Sequence, residues 1–136
     1  MSVPEGKRTK SRFDVIVKAR NIVVHTIKIT SNEKAFPKRY RWSFTGKLVD
    51  ETVDMYKNLF FANSIRVVTK EDKNLRRQYQ VKALAQTYSI LAMIQIAYEL
   101  FGLSTERVKY WVQILMDEQK LIRDWRDSDS ARYRQI

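Results

Sequence analysis

The sequence predicts an all-α fold, an antiparallel up-down-up-down four-helix bundle. Four segments place apolar residues at spacings of three and four, the pattern of helices that are buried along one face. The 136 residues include only three glycines and two prolines, and long segments without helix breakers favour helices over a many-turned β fold. We expect one domain, with the bundle at 11–127 between a basic flexible tail at 1–10 and a polar C-terminal tail at 128–136.

The first two helices are expected at about 11–32 and 43–64. Ser11 has an acidic residue three positions later, which is a capping-box pattern for a helix start. Pro37 cannot occupy a helix interior, so it marks the break between the two helices. The stripe of the second helix comprises Phe44, Leu48, Thr52, Met55, Leu59 and Ala62.

The third and fourth helices are expected at about 70–101 and 105–127. A capping-box pattern at Thr69 starts the third helix, and Gly102 is placed to end it. Ser104 is placed to cap the fourth helix, whose first turn is acidic. Short connections make consecutive helices neighbours, which gives the up-down-up-down order.

The run from Ile90 to Ala97 contains only one polar residue, Gln95. A helix that is apolar on all sides is buried on all sides. The third helix is therefore expected either to be innermost in its own bundle or to face a second subunit as well. The apolar side chains left over after one core is filled are expected at an oligomer interface: Met93, Ile96, Tyr110 and Trp111.

The formal net charge is +11, which indicates a polyanionic partner. In the predicted topology the excess positive charge collects at the two ends of the bundle, while the waist is balanced. The absence of cysteine fits a reducing compartment. We see no apolar leader and no apolar run of about 20 residues, so a cytoplasmic protein without membrane contact is expected.

Residues 34–42, here called the basic loop, connect the first two helices and interleave four cations with aromatic rings. Such a segment can neutralise phosphates while exposed rings stack on unpaired bases. We expect Phe36 and Trp42 instead to close the end of the core beneath the loop. The sequence does not decide between these two roles for Tyr40.

Enzymatic chemistry is not expected. The chain has no cysteine and one histidine, His25, which excludes most nucleophile–base pairs and the usual zinc sites. The acidic residues Asp50, Glu51 and Asp54 lie close to lysines and are expected to form a solvated, ion-paired face. The sequence therefore predicts a non-enzymatic protein without a cofactor or a metal.

Several short segments resemble the accessory variability determinant (Avd) proteins of diversity-generating retroelements and the related proteins encoded in 23S ribosomal RNA intervening sequences. The resemblance covers residues 11 to about 127 and rests on the order and spacing of its features. They are Phe36-Pro37-Lys38, the basic helix start Lys73–Arg77, Ile96–Leu100, Ser104–Arg107 and Trp125.

This resemblance implies a homopentameric barrel that binds a reverse transcriptase and its RNA template, or an RNA/DNA hybrid. Such proteins support mutagenic copying of the template into cDNA and perform no chemistry themselves. Two alternatives stay open, a ribosomal-RNA-associated bundle of the intervening-sequence type and a basic protein–protein adaptor that binds no RNA. The candidate binding residues for RNA or the reverse transcriptase are Arg76, Arg77, Lys73, Lys38, Arg39, Arg41, Lys34, Arg123 and Arg126.

Overall fold

The computed structural model describes the backbone of residues 5–136 and the side chains of residues 14–136. In these residues the protein is all-helical, with four long α-helices and no β-strand. The α-helices are α1 (Glu5–Thr30), α2 (Gly46–Ser64), α3 (Lys70–Phe101) and α4 (Thr105–Arg132). Each helix packs against the helix next to it in the sequence, and α1 also packs against α4, so the four helices form a bundle.

Three helix boundaries differ from the sequence-based expectation. Helix α1 begins at Glu5 rather than near Ser11, so most of the predicted tail at 1–10 is helical, and residues 1–4 lie outside the described part. Helix α4 continues to Arg132 rather than ending near 127. Helix α2 begins at Gly46 rather than at 43, because the residues before it form a 3-10 turn and a π-helical turn instead of an α-helix.

The bundle core consists of the apolar faces of all four helices. Fully buried side chains include Ile22 from α1, Leu48 from α2, Ile90 from α3 and Leu115 from α4. Trp111 is also completely buried and donates a hydrogen bond from Nε1 to Thr26 Oγ1 at 3.2 Å. The buried indole N–H is thereby satisfied within the core.

Helix α3 is not innermost in the bundle. Ile90, Ile94 and Ala97 face the core, whereas Gln95 and Ile96 are exposed on the opposite side. The apolar run therefore has one face covered by its own chain and one face open.

Local capping signals define the ends of α3 and the start of α4. The Thr69 hydroxyl accepts from the Asp72 backbone N–H at 3.1 Å, and the Asp72 carboxylate accepts from Thr69 N–H at 3.0 Å. Hydrogen bonds from the backbone N–H groups of Thr69 and Val68 stabilise the charged carboxylate and lower the pKa of Asp72. Gly102 ends α3 in the left-handed conformation with φ of 61°, and the Ser104 hydroxyl accepts from Arg107 N–H.

Candidate nucleic-acid interface

An aromatic cluster holds the α1–α2 connection against the end of α3. The rings of Phe36, Tyr40 and Phe44 lie 5.2, 5.3 and 6.0 Å from the Phe101 ring, centroid to centroid. Phe36 also packs on Trp111 and is buried, as the sequence predicts. The backbone of the basic loop is thus held at Phe36 and Tyr40, and again at Phe44 just after its end.

Two unusual turns follow Pro37. Lys38–Tyr40 form a 3-10 turn, and Arg41–Thr45 form a π-helical turn that runs directly into α2. The π-turn closes with a hydrogen bond from the Gly46 N–H to the Arg41 carbonyl. A Cβ atom at Gly46 would lie 2.9 Å from that oxygen, so this position requires glycine for the close approach. Turns of this kind are frequent at functional sites.

Trp42 lies within the π-turn and is 90% exposed. The expectation that Trp42 closes the core end is therefore wrong. The physical reason is the spacing of the neighbouring aromatics: Phe36, Tyr40 and Phe44 are four residues apart and already fill the contact with Phe101, whereas Trp42 falls between them. That spacing is the sequence signal that could have placed Trp42 outside.

The four cations of the basic loop are all exposed: Lys34, Lys38, Arg39 and Arg41. Arg41 lies 3.9 Å from the Glu33 carboxylate, and both side chains are more than half exposed, so this ion pair is weak. The Arg39 guanidinium lies 5.0 Å from the centroid of the Tyr40 ring. Most of the positive charge of the loop is therefore available to a ligand.

Arg76 differs from the loop cations because it is only 2% exposed. Its Nε and Nη2 donate to the two carboxylate oxygens of Asp129 at 2.7 and 3.0 Å, and its Nη1 donates to the Ile65 carbonyl at 3.2 Å. Gln80 donates to the same carboxylate at 2.8 Å. Arg76 lacks the accessibility that the sequence-based assignment to RNA or polymerase binding requires, because its donors are occupied within the bundle.

The other predicted binding residues at this end are also engaged to different degrees. Arg77 is exposed and donates to Ser130 Oγ at 2.8 Å. Arg123 donates to the Tyr88 hydroxyl. Arg126 Nε lies 3.5 Å from Asp127 Oδ1, an ion-pair distance without hydrogen-bond geometry.

Lys73 is half-buried beside a cavity of about 20 Å³ that Arg76, Arg77 and Arg126 also line. A space of this size holds about one water molecule. The end of the bundle at which α3 begins and α4 finishes, here called the α3–α4 end, is therefore a packed structure rather than a cleft. The basic loop is the better candidate for contact with a polyanion.

The predicted oligomer-interface residues fall into two groups. Ile96 and Tyr110 are about half exposed. Met93 is half-buried against the core, and Trp111 is fully buried within its own chain. Trp111 cannot contribute to an interface between subunits, because the bundle core surrounds its ring.

A groove of about 460 Å³ lies between α1 and α4, near the basic loop. Its lining includes Lys28, Arg107 and His25, together with the exposed ring of Tyr110. The His25 and Tyr110 rings meet edge to face at 5.1 Å. Burial and the nearby Lys28 charge lower the pKa of His25, so the imidazole is neutral at pH 7. His25 thus serves as a packing residue at the wall of this groove.

No family model, curated protein or solved structure matches this chain. The resemblance to Avd-type proteins therefore rests on the segments named above. None of the helices in residues 5–136 combines the length and apolarity needed to cross a bilayer. In the part of the chain with described side chains, no group of three or more His, Cys, Asp or Glu residues is arranged to hold a metal ion.

Proposed function

We propose that this protein is a non-catalytic accessory protein of a diversity-generating retroelement that binds template RNA through the basic loop and assists its reverse transcriptase. The observation that carries RNA binding is the set of four exposed cations on a segment whose backbone is fixed by the Phe101 cluster. The retroelement context comes from the resemblance to Avd-type proteins alone.

The electrostatic support is the difference between the predicted binding residues at the two ends of the bundle. At the α3–α4 end, Arg76 is buried against Asp129 and Arg77 donates to Ser130. In the basic loop, Arg41 has a weak contact with Glu33. Free cations are the groups that release counterions from a nucleic acid and so give affinity. The loop is accordingly the proposed RNA contact, and Arg77 is a secondary contact.

The proposal includes an antiparallel up-down-up-down arrangement and a homo-oligomeric, pentameric assembly. The helix order is supported by two long-range contacts: Thr26 near the end of α1 meets Trp111 near the start of α4, and Arg76 near the start of α3 meets Asp129 near the end of α4. Self-association is supported by the exposed side of α3 that carries Ile96. A ring of subunits would add weak phosphate contacts through avidity.

The test of RNA binding is the salt dependence of affinity for a purified, unstructured RNA. For single strands, the logarithm of the binding constant falls with the logarithm of salt concentration by about 0.7 for each phosphate contacted. The double variant Lys38→Ala/Arg39→Ala is expected to reduce that slope by about 1.4. Fluorescence anisotropy across a potassium chloride series measures the slope.

The matched control is Lys57→Ala/Lys82→Ala, which removes two exposed lysines from the middle of α2 and α3. Both double variants change the net charge equally, so a general loss of charge affects them alike. Equal slopes for the two variants contradict the assignment of the basic loop. Absence of RNA binding by the unaltered protein favours an adaptor that docks an acidic protein instead.

A further inference from the structure

Trp42 is the most exposed large apolar side chain among the described residues. Its neighbours Tyr40 and Phe44 pack on Phe101 and are half-buried, so the segment leaves its largest ring in solvent while its smaller rings pack against α3. A fully solvated indole on a fixed backbone contributes little to the bundle. The ring is available to a ligand without rearrangement of the loop.

The charges around Trp42 define the ligand chemistry. Lys38, Arg39 and Arg41 lie within four residues of Trp42 in the sequence, and all three are exposed. A planar ring with flanking cations matches a nucleotide that is not base-paired, because the base offers its face and the adjacent phosphates offer negative charge. In a duplex the base faces are covered by neighbouring base pairs, so the ring has no surface on which to stack.

We propose, building on the RNA binding proposed above, that Trp42 stacks on an unpaired base while Lys38, Arg39 and Arg41 contact the phosphates on either side. The basic loop therefore selects single-stranded over double-stranded RNA. An aromatic platform of this kind accepts any base, so the selection is for strandedness and not for sequence.

A membrane surface is the other ligand that an exposed tryptophan among cations can meet. Membrane-surface binding requires a continuous apolar face. The side chains on either side of Trp42 are Arg41 and Ser43, and the remaining rings of the segment face Phe101. The surface around Trp42 is thus polar, which favours the nucleotide.

The test compares Trp42→Ala with the unaltered full chain on an unstructured RNA strand and on the same strand annealed to its complement. We expect the variant to lose about 5- to 140-fold in affinity for the single strand. Its affinity for the duplex and its salt slope are expected to stay unchanged, because no charge is removed. Phe60→Ala, which removes a half-exposed ring from α2, is the matched control and is expected to bind both RNAs normally.

Tryptophan fluorescence gives an independent measurement. The chain has three tryptophans, and Trp111 and Trp125 are buried, so quenching on RNA binding reports on Trp42. Trp42→Phe is expected to retain most of the affinity and to lose the quenching. Unquenched emission during tight binding of the unaltered protein overturns the proposal.

The outcomes separate stacking from RNA binding itself. If Trp42→Ala binds the single strand normally while Lys38→Ala/Arg39→Ala lowers the salt slope, stacking is overturned and RNA binding stands. If the unaltered protein binds neither RNA, both are overturned. Loss of binding by Trp42→Ala to vesicles of phosphatidylcholine and phosphatidylserine, with RNA binding intact, overturns the choice of ligand.

Discussion

Arg76 and Asp129 form an ion pair between α3 and α4 that is almost closed to solvent, with side chains 3% and 14% exposed. The arginine is further enclosed by the Trp125 ring, whose centroid lies 5.1 Å from its guanidinium carbon. When one partner of such a pair is removed, the other charge is left without compensation in a poorly solvated site. The pair therefore attaches the C-terminal end of α4 to the start of α3.

Replacement of Arg76 by alanine is expected to lower the free energy of unfolding by about 3–5 kcal/mol. Arg77→Ala is the matched control, because Arg77 is adjacent, exposed and joined to α4 by a single hydrogen bond to Ser130. Its cost is expected to be about 0.5 kcal/mol. Urea denaturation followed by circular dichroism measures both values. Equal stabilities for the two variants would contradict the structural role of Arg76.

Glu118 is a fully buried acid in α4, and neither of its carboxylate oxygens has a hydrogen-bond partner among the described residues. Burial raises the pKa of Glu118 well above its usual range, and the Lys18 charge opposes that rise only in part. The folded protein therefore keeps a proton on Glu118 that the unfolded chain releases above a pH of about 4.5. Stability is then lost as pH rises from that value toward the pKa of the folded state.

Glu118→Gln is expected to remove this pH dependence, because glutamine stays neutral at every pH. The free energy of unfolding of the unaltered protein should fall relative to the variant by up to about 1.4 kcal/mol per pH unit across that window. The control is Asp117→Asn, an exposed neighbour. Denaturation at a series of pH values measures the difference, and parallel pH profiles for the unaltered protein and Glu118→Gln would refute a neutral Glu118.

At the scale of the helices, sequence patterns that span only a few residues are sufficient to predict the four helices and several of their ends. The apolar periodicity predicted four helices, and the capping residues Thr69, Gly102 and Ser104 act within one turn of the boundaries they mark. The extension of α4 to Arg132 depends instead on Asp129, whose partner Arg76 is 53 residues away in the sequence. Pairing at that distance leaves no local pattern in the sequence. For this reason the sequence predicts a polar tail at 128–136 rather than a continuation of the helix.

The sequence predicts which residues belong to the candidate site but not how all of their side chains are placed. The sequence identified the cations and rings of the basic loop, and Phe36 is buried as expected. The prediction for Trp42 is wrong although the sequence holds a signal against it: Phe36, Tyr40 and Phe44 are four residues apart and fill the contact with Phe101, which leaves Trp42 outside. Arg76 was placed wrongly because a charged residue at a helix start has no local sign of burial.

At the scale of the molecule, the net charge of +11 does not by itself show which cations are accessible to a ligand. Part of the positive charge at the α3–α4 end stabilises the fold through Asp129 and other partners. Among the described residues, the four exposed cations of the basic loop have one ion pair, the weak contact of Arg41 with Glu33. The proposed site of polyanion binding therefore rests on which of the predicted binding residues are exposed and which are engaged within the bundle.

The open side of α3 also concerns the whole molecule, because none of the side chains of residues 14–136 buries it. Tyr88, Ala92, Ile96 and Leu100 lie on this side at intervals of four residues, and all are exposed. Ile96 and Leu100 are 49% and 51% exposed, and exposed apolar side chains that adjoin one another indicate an interaction site. Burial between subunits would remove that surface from water.

The solution mass by light scattering at physiological salt is expected to be about five times the 16.2 kDa of one chain. Ile96→Glu is expected to reduce the mass toward that of a single chain, because it buries an unpaired charge at the contact. Met116→Glu, which alters a similarly exposed apolar residue of α4, is the control and should keep the assembly. A single-chain mass for the unaltered protein would rule out the ring and leave the loop to bind RNA without avidity.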